Sequence, residues 1–566
     1  MSPSSETTVL IIGAGPSGLA AGLTLAQNGI PIRIIEKATE FHKSSRGSGL
    51  HPRTLEIFRF LGVAQDARRL GGPLMPMQLY KLPGGTQPVR QWKIWDDVPI
   101  TPDRPEDSLA LSQYVTEGIF RDHLLKHGVH VELGAEAVAL DQDPAGVSVS
   151  VRHAGVEEIE TVRCAYVIGS DGARGFTRKA IGATFEGQTK DGDGQAWTDV
   201  EAEGISSDLW HIWAEPGKFT VGMRPKKEPG QFHLVIGGVN FDPVGLTEPS
   251  KFAEAFYELT GRRDIVFKNF TGLSYWKPKI RMVNKMSEGR VFICGDAAHV
   301  HSPTGGQGLN TSVGDAGLTR LQFNIAWKLA LVCKGLASRD LLSTYQTERL
   351  PVIAHMLAAT EDLYTHITIT QSDDGPASSG PESTGFLKWR NNAFRQLDIN
   401  YRWSPVVLDA RGMNGLDENA LKARGYQGYP GEPVRAGDRA PEAPALVDAA
   451  GKETSLFDIF KPNTHTVLVF SPKQAESEAQ EVVAAAQASP LASVTKTLVL
   501  GRDGVPAAIE GASAYHDKEG HAHKAYGVDG GVLIIVVVRP DGYIGAFVND
   551  VDGLQTYISR ITSGFA

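Results

Sequence analysis

Six residues near the start of the chain constrain its fold more than any others. An apolar run, Val9–Ile12, opens directly into Gly13-Ala14-Gly15-Pro16-Ser17-Gly18, and Ala20–Gln27 then has helical character. A second apolar stretch, Ile30–Ile35, ends at Glu36, 23 positions after Gly13. Strand, turn, helix and strand make one βαβ unit. In that setting Gly13 permits the tight turn, Gly15 lets backbone approach a pyrophosphate, and Gly18 lets helix and strand pack closely. The helix start offers N–H groups and a partial positive charge to phosphates. Glu36 can accept hydrogen bonds from an adenosine ribose. The candidate nucleotide contacts are therefore Gly13, Gly15, Pro16, Ser17, Gly18, Glu36 and Lys37. The turn alone does not separate NAD from FAD.

With 566 residues the chain is too long for one compact core, so two to four domains are expected. A formal charge of −9 argues against nucleic-acid binding, which depends on Lys and Arg meeting phosphates. Three well-separated cysteines, Cys164, Cys294 and Cys333, form neither a disulfide framework nor a metal cluster and suit a reducing compartment. His299 and His301 lack further ligands nearby, so no metal is expected. Met1–Thr8 has no basic-then-apolar signal pattern, the C-terminus carries no targeting address, and Val532–Val538 is far shorter than the roughly 20 residues a membrane span needs. The expected location is the cytoplasm, with no membrane or nucleic-acid partner.

Further along, Arg53–Leu61 and Thr116–His127 read as helices, and Val147–Val151 and Val162–Ile168 as strands. Phe219–Met223 and Phe232–Val239 suit an antiparallel sheet with one covered face. Arg290–Cys294 is another buried strand, followed by a helix-rich stretch from Phe323 to about Thr370 and a loop at Ser372–Thr384. After Gly431, strands at Val467–Phe470, Thr497–Leu500, Val532–Val538 and Tyr543–Val548 alternate with helices at Glu476–Ala486 and Leu554–Ile561.

Three further stretches make the reading specific. Tyr166–Arg174, containing Gly169-Ser170-Asp171-Gly172, resembles the "DG" motif of single-component flavin aromatic hydroxylases. Arg290–His299, containing Gly295-Asp296, resembles their "GD" motif, and Arg46–Glu56 is similar to the segment after the second strand in the phenol hydroxylase branch. The resemblance covers nearly the whole chain. It implies an α/β fold: a Rossmann-like FAD-binding domain of the glutathione-reductase type, an interleaved antiparallel-sheet substrate domain, and a C-terminal thioredoxin-like domain. The boundaries read as residues 1–190 and 286–371 for the FAD-binding domain and 191–285, with parts of 75–115, for the substrate sheet. Residues 372–430 form a linker with helix and loop, and 431–566 the last domain.

The same resemblance assigns FAD contacts to Arg46 at the pyrophosphate, Gln113 at the flavin, Asp171 and Gly172, and Gly295 and Asp296 near the ribityl chain. Asp171 would also serve a groove for NADPH or NADH, bound transiently. Pro303, Gly306, Gly308, Leu309 and Asn310 would lie along the flavin ring, where a glycine-rich backbone avoids side-chain clash and a helix start faces the reduced ring's negative charge. Pro303 would border the oxygen site. The implied reaction uses NAD(P)H and O2 to hydroxylate a small phenolic aromatic compound through a flavin C4a-hydroperoxide. A flavin halogenase or reductase, or a non-catalytic flavin-binding protein, is the alternative. The run Trp92-Lys93-Ile94-Trp95 approaches a halogenase motif, but its second tryptophan falls one residue late.

Phenol hydroxylase relatives can carry an Asp base where this chain has Ser48, which cannot do that work unaided. His51, Tyr275, Trp276 and Arg281 lie in segments that border the pocket in relatives, while Trp213 and Met223 are candidates for an apolar wall. Relative to the family, Gly317–Gln322 is an insertion, and six extra residues would turn a continuous helix about 240° out of register. A bulge or break is therefore expected. In the last domain Ser471-Pro472-Lys473-Gln474 stands where a thioredoxin carries CxxC, so thiol exchange is excluded and a homodimer-forming or stabilising role is expected. Arg539–Tyr543 fits a turn between paired strands.

Overall fold

The computed structural model describes residues 4–45, 47, 49–93, 99–189, 192–215, 217–277, 279–301, 322–368, 392–412, 415–529 and 531–565. The opening βαβ unit forms as the sequence implies: strand Ser4–Ile12, helix Pro16–Gln27 and strand Ile32–Glu36. The first strand pairs in parallel with Ile32–Glu36 on one side and Ile159–Gly169 on the other. Val291–Ile293 joins in parallel beyond Ile159–Gly169, and Val131–Leu133 beyond Ile32–Glu36. Val9, Leu10 and Ile11 are fully buried, as expected of a parallel strand covered on both faces. An antiparallel pair, Ala135–Asp143 and Gly146–His153, is attached through Ile159–Gly169.

A second sheet of seven strands is interleaved with the first along the chain. Its order is Val266–Trp276, Gly194–Glu203, Gln231–Gly238, Phe219–Pro225, Trp210–Glu215, Met77–Tyr80 and Pro88–Trp92. All its ladders are antiparallel except Trp210–Glu215 with Met77–Tyr80, which is parallel because the latter strand arrives from the earlier domain. Helix Pro249–Thr260 covers one face, burying Phe252 and Phe256 against Val221, Met223, Leu234 and Ile236.

The helix-rich stretch resolves into Gln322–Cys333 and Thr344–Thr368. The sequence-inferred break at Gly317–Gln322 lies, apart from Gln322 itself, outside the described residues.

The C-terminal sheet has eight strands, centred on His465–Phe470 and Thr495–Gly501 in parallel; Ile534–Val538 is antiparallel to His465–Phe470, and Ile544–Val548 is antiparallel in turn to Ile534–Val538. Leu408–Asp409, from the stretch read as linker, adds an edge strand beside Ile544–Val548. The Arg539–Tyr543 turn does more than join strands, since it inserts into the first domain. Arg539 Nη1 and Nη2 bind Glu348 at 2.8 and 3.1 Å, and its Nε meets Asp541 at 3.0 Å. Lys328 Nζ reaches the same Glu348 at 2.9 Å, Ser404 Oγ donates to it at 2.6 Å, and Trp327 Nε1 donates to Asp541 at 3.1 Å. All four charged side chains are buried.

Candidate functional site

The C-terminal ends of the parallel strands bring three separated stretches together, the place where open α/β sheets bind ligands. The glycine turn follows the central strand, and Ser170 follows its neighbour. Ser170 Oγ donates to the carbonyls of Ile12 at 3.0 Å and Gly13 at 2.8 Å. Cys294 N donates to Gly169 O at 3.0 Å, which sets Gly295-Asp296 at the next strand end. Gly13 has φ +104°, and a Cβ there would meet Ser170 O at 2.4 Å. At Gly18 a Cβ would fall 1.9 Å from Gly13 O. A Cβ on Gly15, by contrast, would meet nothing within 4 Å.

That contrast fits a phosphate-bearing group. The helix Pro16–Gln27 starts at Gly15 with no side-chain cap hydrogen bond and no acidic residue in its first turn, which suits an anion at the helix start. Glu36 stiffens the cradle: Oε2 accepts from Ala14 N at 2.9 Å and Oε1 from Ala38 N at 3.0 Å, leaving lone pairs for a ribose. Pro16, Ser17 and Gly18 are buried at the helix start, and Lys37 is exposed beside Glu36. Gly172, at φ +78°, also borders open space. Asp171 is engaged locally, accepting from Thr177 N at 2.8 Å and Thr177 Oγ1 at 2.5 Å. Asp296 is exposed between buried Gly295 and Ala297, as a group presented to a ligand would be.

Gln113 opens helix Gln113–Leu125, and its N–H binds Ser45 O at 3.2 Å and Gly47 O at 2.7 Å. It thereby ties down the segment around residue 46. Arg46, Ser48, Pro303, Gly306, Gly308, Leu309 and Asn310 lie outside the described residues.

The pocket candidates divide between the two faces of the seven-stranded sheet. Trp213 is fully buried on the helix-covered face, donating from Nε1 to Gly85 O at 2.8 Å and packing edge-on to Phe256. Met223 shares that core, and Tyr275, opposite Ala196, lies on the same side. These three are therefore turned away from the FAD-binding domain. Trp276, opposite Gln195, lies on the other face. Arg281 belongs to a small separate sheet and donates to Phe185 O at 3.2 Å and Thr189 Oγ1 at 3.0 Å. His51 is buried at the start of helix Pro52–Leu61.

The face turned toward Ser45 and Tyr114 carries a row of polar residues that the sequence reading passed over. Arg224 stands opposite His233, and His233 opposite Asp199, on three adjacent strands. Asp199 Oδ1 pairs with His233 Nδ1 at 2.8 Å; Oδ2 accepts from Ser45 Oγ at 2.7 Å, Ser45 N at 3.1 Å and Lys226 Nζ at 3.2 Å. Burial opposes the Asp199 charge, but the His233 bond and its other donors outweigh it and hold the carboxyl down at about 2. Burial pushes His233 down, against the pull of its hydrogen bond to Asp199 and with the help of Arg224 and Lys226. Period-two alternation was the available signal: Val221 and Met223 mark the covered face, which puts Arg224 on the other.

An uncapped helix start after a glycine turn, an acidic residue ending the next strand and an exposed aspartate gather at the C-terminal ends of the parallel strands, the arrangement of a dinucleotide site. The FAD binding domain family matches residues 6–360, and the phenol hydroxylase C-terminal dimerisation domain matches residues 508–564. A flavin-dependent monooxygenase of Mycobacteroides abscessus is 31% identical over 560 residues, spanning 98% of this chain and 100% of its own. Pentachlorophenol 4-monooxygenase of Sphingobium chlorophenolicum is 27% identical over 557 residues, covering 96% of this chain and 94% of its own. The crystal structure of the flavin-dependent monooxygenase PieE in complex with FAD and substrate shares the fold, with TM-score 0.81 at 22% identity over 99% of this chain and 100% of that one. The chain belongs to the FAD-dependent aromatic monooxygenases of the phenol hydroxylase type. Among the described residues no helix is long and apolar enough to cross a membrane.

Proposed function

We propose that this protein is an NAD(P)H-consuming monooxygenase that hydroxylates a phenolic aromatic compound, working as a cytoplasmic homodimer. The reading rests on one observation: the phosphate cradle at Gly15 and the Gly295-Asp296 strand end share an edge of the parallel sheet, and the Ser45–Gln113 segment joins this domain to the polar face of the second sheet. FAD, when bound, supplies electron acceptance from the nicotinamide and activation of O2. The chain's own residues hold and orient. Gly13, Gly15 and Gly18 shape the pyrophosphate site, Glu36 takes the ribose, and Asp296 the ribityl hydroxyls. The second sheet presents the ring and excludes water. Arg46, Gln113 and the Pro303–Asn310 stretch are assigned to the flavin by resemblance to the family, and the 508–564 match supports the homodimer.

Purified protein tests this directly. Yellow protein should oxidise NADPH faster when given a phenol, and a hydroxylated product should accumulate in proportion. Phenol-independent oxidation yielding peroxide alone would overturn the monooxygenase reading.

A further inference from the structure

The polar row on the inner face of the second sheet does not balance its charge. Asp199 is one carboxylate, shared by Lys226, Ser45 and His233. Arg224 adds a second cation with no carboxylate of its own. Among the described residues its guanidinium makes no hydrogen bond or ion pair; it lies over the Trp210 ring, 5.4 Å from the centroid. Burial pushes it down to about 10, against the attraction of Asp199. Lys226 Nζ lies 5.6 Å from the Tyr114 ring centroid, which closes that end of the row. Two residues before Asp199 on the same strand and face, Trp197 carries a buried indole N–H that also lacks a hydrogen-bond partner among the described residues. Between these groups the sheet is cut away: Gly222 stands where a side chain would meet Trp210 Nε1 at 3.4 Å.

Unpartnered donors and a surplus cation on a partly buried face cost stability unless something fills them. A folded chain keeps such a cluster where a ligand completes it. We infer that Arg224 and Trp197 Nε1 receive an oxyanion on the aromatic substrate, with Trp210 and the Gly222 notch accommodating its ring. The substrate class is thereby an acidic arene, bound as phenolate or ring carboxylate. This deepens the function proposed above and rests on it. In the phenolate case it also accounts for Ser48: a ring bound with its phenol already ionised needs no carboxylate base.

The test uses the FAD-loaded protein and its Arg224→Met and Arg224→Lys variants. The probes are 2,4-dichlorophenol for the phenolate source, salicylate for the carboxylate source, and 2,4-dichloroanisole as neutral control, each titrated against the flavin absorbance. At least one anion should bind wild type, weaken at least roughly tenfold in Arg224→Met, and recover in part in Arg224→Lys, while the anisole is indifferent to residue 224. Equal behaviour of wild type and Arg224→Met toward every anion, including no binding by either, overturns the assignment. So does a fall in melting temperature or FAD content in Arg224→Met, since that would make Arg224 a structural or cofactor residue. Failure of the monooxygenase reading is seen separately, as wild-type protein that holds no FAD or turns over no phenol.

Discussion

Two clusters of buried charge are built on opposite plans. At the junction with the C-terminal sheet, Glu348 and Asp541 face Lys328 and Arg539, two charges against two, and neighbours such as Ser404, Asn324 and Trp327 supply further hydrogen bonds. On the inner face of the second sheet, Asp199 faces Lys226 and Arg224, and Trp197 Nε1 has no hydrogen-bond partner among the described residues. The first cluster is complete without any ligand and serves architecture. The second is incomplete without one. Saturation of hydrogen-bonding capacity, rather than burial or charge itself, separates a structural network from a binding site.

The largest test of this contrast is Glu348→Gln. Burial opposes the Glu348 charge, but Arg539 and Lys328 hold it well below the ordinary carboxylate range, while burial brings Lys328 down to about 8. Removing the carboxylate leaves two buried cations against one anion. A loss of roughly 3–5 kcal/mol is expected in denaturant unfolding. A loss under about 1 kcal/mol would mean that the junction is not the balanced network described.

Asp199→Asn comes next and has a pH signature. The folded pKa of about 2 lies below the ordinary value of 3.8, so the unfolded chain takes up its proton first as pH falls. The contribution is complete above about pH 4, near 2 kcal/mol, and drains away between about 4 and 2. The gap in melting temperature between wild type and Asp199→Asn should therefore close across that window. A gap independent of pH there would show that the Asp199 charge is not what stabilises the row.

The smallest effect has the opposite sign. Arg224→Met should match or exceed wild-type stability, by up to about 1 kcal/mol, because an apolar side chain of similar length replaces a cation with no ion-pair partner among the described residues. The two substitutions in the second sheet thus move in contrary directions, which no purely architectural account of the row predicts.

Much of this was legible before any coordinates. The glycine turn and Glu36 specify the first domain because a phosphate cradle tolerates few residue types, and the Gly295-Asp296 segment follows a short all-apolar strand that can only be buried. The inner face of the second sheet was less legible. Trp213 and Met223 drew attention as large apolar groups, yet size and apolarity mark the covered face of a strand. Arg224 lies one position from Met223 and Asp199 two strands away, and only alternation places them on the other face. The Asp199–His233–Arg224 row spans three strands that loops of different lengths connect, so no spacing in the chain announces it. The Arg539–Asp541 turn was placed correctly as a turn, but its partner Glu348 lies 191 positions away, beyond local inference.

That hairpin tip has a consequence for how the chain can be taken apart. Cutting near residue 430 would strip Glu348 and Lys328 of Arg539 and Asp541, and would also orphan the Leu408–Asp409 edge strand. The terminal module is therefore keyed into the catalytic body like a tenon. A chimera carrying a foreign module should hold together only if the donor brings an arginine and an aspartate at that tip.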